Sequence, residues 1–180
     1  LTLVGVAFLS AGSYIAALPY VMVPTAHVAF AFFWMAFTAS SIHRLHPGPY
    51  SRWAMKNRRY IGLSFAFIHI VHLVLVLSNI TLTPDERPPL ILAAGAVAYG
   101  FLFLMVLTSN NAAVKWLGTA KWRQLHLVGS WYIWVIFIAA MPEVLTGKYN
   151  RVWIFILCFT ALALRFAAHR KKKAGTPRPA

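Results

Sequence analysis

The apolar residues of this chain gather into runs about as long as a membrane is thick, and this constrains its fold more than any other feature. Six such runs stand out, at about 1–18, 24–42, 60–80, 90–108, 122–141 and 152–168. A helix needs ~20 apolar residues to cross the hydrocarbon core. The 180 residues therefore have room for about six spans and little else. The runs lack the strict alternation of strands, and a closed barrel needs more segments. Helices are the remaining way to pair the backbone in lipid. The expected fold class is all-α, an integral membrane bundle of about six transmembrane helices. The first run has no clean cleavage signature and a second run follows closely, so it reads as a helix rather than a signal peptide. Pro19 is expected to end it, with a short turn before Pro24.

Composition agrees with this reading. Hydrophobic residues make up 60% of the chain and charged ones 11%, against about 25% charged in a soluble domain. A net charge of +14 raises the question of nucleic acid, but no folded surface remains to bind it. Of the 17 Lys and Arg, all but Arg87, Lys148 and Arg151 fall on one side of the expected bundle, 14 against 3. That asymmetry places both termini in the cytoplasm, with 169–180 as a basic tail favouring anionic lipid. Membrane lipid is the first expected partner. Asn79-Ile80-Thr81 matches a glycosylation sequon but touches the membrane edge, and the single Cys158 admits no internal disulfide.

Asp85, Glu86 and Glu143 are the only acids, and none falls in mid-span. A carboxylate relay or an oxygen-lined metal cage is thereby disfavoured. Histidine remains. His169 belongs to the basic tail, and His43 and His46 sit at a helix end where solvation explains them. His27, His69, His72 and His126 lie within or near the hydrocarbon. A polar side chain at that depth must bond to a neighbouring helix or serve a ligand. Neutral imidazole with no acid nearby suits an axial position on haem iron. His69 and His72, at i and i+3, share a helix face, so at most one of them serves a given iron.

Arg58-Arg59-Tyr60-Ile61-Gly62-Leu63 followed by His72, then Leu107-Thr108-Ser109-Asn110, Trp116-Leu117-Gly118 and Trp122-Arg123-Gln124-Leu125-His126, resemble in order the ferric reductase-like transmembrane superfamily. The nearest likeness is to the haem-binding membrane subunit of bacterial methionine sulfoxide reductase systems, over about 25–141. The resemblance implies a bacterial inner-membrane protein with His72 and His126 as iron ligands, b-type haem (one or two) as cofactor, and electron transfer across the membrane. Arg58, Arg59 and Arg123 would meet the haem propionates. Flavin or quinone would be supplied by a partner redox subunit or membrane complex.

One position departs from the pattern. Where the family carries a second histidine on the fifth helix, about thirteen residues after the first, this chain has Ala139. Helical rise separates His72 and His126 by about 11 Å in depth, which points to different irons. By depth alone His27 matches His72, His43 or His46 matches His126, and His69 is a fallback. Two functions follow from different classes: an electron-relaying haem subunit, or a haem-free structural or assembly subunit. A small-solute transporter fits less well, because paired broken helices are missing.

Overall fold

The computed structural model describes residues 13–83, 88–139 and 152–174, and these are helical almost throughout. Six helices follow in order: α1 (Tyr14–Leu45), α2 (Pro49–Leu82), α3 (Pro89–Leu107), α4 (Asn111–Leu117), α5 (Thr119–Ala139) and α6 (Val152–Ala174). Of these, α1, α2, α3 and α6 are long and apolar enough to cross a membrane. The chain is a multi-pass helical membrane protein. α5 is helical over 21 residues, but Lys121, Arg123, Gln124 and His126 make its first turns polar.

The expected break at Pro19 is corrected. α1 runs through both Pro19 and Pro24 as one helix opened by Ser13, whose hydroxyl accepts from the Ala16 amide. Most of the first apolar run, 1–12, lies outside the described residues. Proline costs a helix one amide donor, and in apolar surroundings nearby hydroxyls help to re-satisfy the backbone. Thr25, next to Pro24, bonds its hydroxyl to the carbonyls of Val21 and Met22, both at 2.9 Å.

Three other boundaries move outward for local reasons. α2 begins at Pro49 rather than near Tyr60, because proline suits a first helical position and Ser51 Oγ accepts from the Gly48 amide at 2.9 Å. Its 34 residues extend about 51 Å, so the segment bearing Arg52, Lys56, Arg58 and Arg59 is helix rather than loop. α4 forms where a plain loop was expected, with the Asn110 side chain accepting from the Ala113 amide at 2.8 Å. Gly118 at φ 75° ends it, a conformation that glycine adopts without strain. At the other end of the chain α6 continues to Ala174, so the expected tail from His169 starts as helix.

α1 is the hub. Its Phe30, Phe33 and Phe37 are buried against Phe65 and Ala66 of α2, Ala98 and Leu102 of α3, Ile133 of α5, and Ile154, Cys158 and Ala161 of α6. Phe33 alone stacks within 5.3 Å of Phe37, Phe65 and Phe137. Small side chains let α6 approach closely: Cys158 and Ala161 are fully buried, and Trp34 Nε1 donates to Leu157 O at 2.8 Å.

Cross-helix contacts fix direction. α1 and α6 run in parallel, with residue 27 beside 153, 37 beside 165 and 44 beside 168. α2 runs against α1, and α5 against α3. One end of the bundle therefore collects the C-termini of α1, α3 and α6 with the N-termini of α2 and α5. Every Lys and Arg among the described residues lies toward that basic end. Asp85, Glu86, Glu143, Arg87, Lys148 and Arg151 all fall outside the described residues, which hold no carboxylate side chain.

Candidate functional site

Two of the four deep histidines stack side by side about mid-way along α2. The rings of His69 and His72 lie 5.5 Å apart and nearly parallel, at 17°. Tyr99 of α3 covers His69 at 5.1 Å and 18°, with its hydroxyl donating to His69 O at 3.2 Å. Phe65 and Phe137 flank the same ring at 5.2 and 5.8 Å. His69 Nδ1 is buried and meets no hydrogen-bond partner among the described residues. A buried polar atom of this kind is costly, and it marks a place where a ligand or water belongs.

His72 is held differently. Its Nδ1 lies 3.1 Å from Thr25 Oγ1 on α1. The Thr25 proton is engaged by the backbone carbonyls of α1, so the oxygen accepts and His72 Nδ1–H donates. That assignment makes Nε2 the acceptor nitrogen whenever the ring is neutral. A histidine anchored through one nitrogen by a neighbouring acceptor is oriented for coordination through the other.

His27 shares this depth but not this face. Its ring meets Trp153 of α6 edge-on at 5.1 Å. Thr25 and His27 are two residues apart and hence on nearly opposite sides of α1, so the ring that depth alone paired with His72 is turned toward α6. Ala139 is exposed. The α5 side chain that reaches His69 is Phe137 instead.

His126 belongs to a second place. Its Nε2 is 3.2 Å from Thr108 Oγ1, whose proton goes to Leu104 O at 2.7 Å. Here Nε2–H donates and Nδ1 is basic. Trp122, one turn before, stacks on His126 at 4.5 Å and donates its indole N–H to Thr108 O at 2.9 Å. Thr108 caps the C-terminus of α3, where carbonyls lack helical partners. The Trp122–His126 pair thus closes the end of α3 onto α5. Tyr99 marks the level of His69, and Thr108 lies nine residues further along α3, about 13 Å. One iron cannot span that distance, so the two histidine places remain separate.

The arginines gather at the second place. Arg58 Nε donates to Ala36 O at 2.9 Å and lies within electrostatic reach of His126. Arg59 donates to Asn111 Oδ1 at 2.7 Å. Arg123 lines a shallow cleft with Val114, Thr119, Ala120 and Trp122, of about 250 Å³, below the roughly 300–1,000 Å³ of ligand pockets. His43 is fastened to Ser51 Oγ at 3.1 Å, beside the turn between α1 and α2. His46 is the C-cap of α1, and His169 is exposed on α6.

No group of three or more His, Cys, Asp or Glu side chains comes together among the described residues, whereas a haem iron needs only one or two axial groups. The His72 tautomer and the unpaired His69 Nδ1 fit that requirement. The Thr partners of both histidines escaped the sequence reading. Thr25 and His72 are 47 residues apart, and nothing in the chain announces the pairing. No protein-family model, curated protein or solved structure matches this chain.

Proposed function

We propose that this protein is a b-type haem membrane subunit of the ferric reductase-like kind, with His72 as an axial ligand. The observation that carries the reading is the hydrogen bond between His72 Nδ1 and Thr25 Oγ1. It orients an imidazole at a depth where the described residues offer no acid. When bound, haem would supply one-electron chemistry, with electrons moving from a cytoplasmic or quinone donor to an acceptor outside. Phe65, Tyr99 and Phe137, packed on the neighbouring His69 ring, would help to keep water from the site. In this reading the basic end faces the cytoplasm of a bacterial inner membrane, as the cation asymmetry favours.

The redox optical spectrum of the purified protein tests this. Protein expressed with ample haem should show a Soret band, and reduction with dithionite should sharpen its alpha band. A colourless preparation would overturn the proposal. Reporter fusions after Ala180 and within 83–89 should report opposite compartments; agreement between them would overturn the orientation. A haem-free structural subunit is the second reading. The Trp122–His126 closure on Thr108 favours it, because there a deep histidine is explained by helix fastening alone.

A further inference from the structure

The seam where α6 lies along α1 toward the basic end carries three cations, each reaching across to a carbonyl of the other helix. Arg165 donates to Phe37 O at 3.0 Å, Arg44 of α1 to Ala168 O at 3.4 Å, and Lys171 to Leu45 O at 3.2 Å. Arg165 is also packed against the rings of Phe37 and Trp131, at 4.1 and 4.7 Å. It is thereby a fixed strut of the seam. Arg44 and Lys171 are exposed, and each has donors beyond the one that its carbonyl takes.

Because α1 and α6 are parallel, both end here, and the negative ends of their dipoles favour cations. The dipole bears on Lys171 at Leu45 O, while Phe37 O and Ala168 O lie further inside their helices. No carboxylate occurs among the described residues to pair with these cations, and an anion from outside the chain would complete the site. At this depth the abundant anion is the lipid phosphate, and basic pockets between transmembrane helices on such a face suit it.

We infer that the basic end of the α1–α6 seam is a binding site for an anionic phospholipid, with its phosphate held by Arg44 and Lys171. The full chain would be reconstituted into nanodiscs of phosphatidylcholine doped with phosphatidylglycerol, extracted into detergent, and its retained lipid read by native mass spectrometry. Wild type should retain phosphatidylglycerol selectively. Arg44→Gln and Lys171→Gln should each lower apparent affinity about fivefold, as expected for roughly one surface cation each. The control Lys115→Gln/Lys121→Gln removes two cations from the same end, around α4 and α5, and should change retention less than twofold. Equal loss in the control would reduce the effect to diffuse charge and overturn the site. Displacement of the lipid by millimolar inorganic phosphate would overturn the lipid assignment in favour of a free-anion site. Should Arg44→Gln fail to fold, Lys171→Gln alone decides, because its exposed ammonium holds only the last carbonyl of α1.

Discussion

Two threonines in this bundle do the same thing to two histidines, with opposite results. Thr25 and Thr108 each give their proton to a carbonyl of their own helix and accept from an imidazole on another. Thr25 meets Nδ1 of His72, Thr108 meets Nε2 of His126. The first leaves the outer ring nitrogen basic and directed away from the threonine, as a ligand would need. The second consumes that nitrogen in the α3–α5 junction, leaving only Nδ1. On the proposed function, identical residue pairs separate a ligand position from a fastening, and the ring nitrogen in contact decides which.

The comparison breaks most openly if His72→Ala keeps its haem. We expect that substitution to remove the Soret band, while His126→Ala retains it. Loss of one and the same band in both variants would mean that the two rings serve a single iron despite the ~18 Å implied by helical rise. Thr25→Val is the finer cut. It keeps the shape and deletes the acceptor, freeing the His72 tautomer. Losing the acceptor that orients a ligating histidine weakens binding about 10–100-fold, so haem should be retained at high concentration and lost on dilution. The matching Thr108→Val change should leave haem affinity unmoved.

The clamp should answer to stability instead. Trp122→Phe keeps the stacking on His126 but removes the indole donor to Thr108 O, which should cost about 1–2 kcal/mol. His126→Ala should cost a similar amount, and the double change less than the sum, because both act on one capped helix end. Thermal unfolding in a single detergent, read alongside the spectrum, would check this. A clamp variant that loses haem at unchanged melting temperature would reverse the assignment of the two places.

The helices were legible because lipid admits few backbone solutions, and apolar run length reports them directly. Their ends were less so. Pro19 and Pro24 read as breaks, yet α1 absorbs both, since the propensity cost of proline was set against the burial of Phe30, Phe33 and Phe37 further along the same helix. Asn111–Leu117 is too short for its periodicity to stand out. At the site, the sequence marked His69, His72 and His126 by their cost in hydrocarbon, and depth counting separated the last from the others. It could not tell which face of α1 His27 takes, nor which nitrogen each ring presents. Both depend on cross-helix contacts between residues distant in the chain, such as Thr25 with His72.

The smallest expected effect concerns how α3 and α5 stay in register without the histidine. Gly129 sits one turn from His126, and a Cβ placed there would meet Met105 Sδ at 2.9 Å and Phe101 Cδ1 at 3.3 Å. The helices approach closely because no side chain intervenes. Gly129→Ala gains helix propensity of up to about 1 kcal/mol against an overpacking cost of about 1–3 kcal/mol. Met105 is flexible and can yield, so the net should be a loss of about 1 kcal/mol, and Met105→Ala in the same chain should recover part of it. This contact repeats the pairing of Thr108 with His126 one turn along, so Gly129→Ala and His126→Ala should be non-additive. Strict additivity would show that the close approach and the clamp hold the helices independently, and His126 would then lose its explanation as part of one fastening.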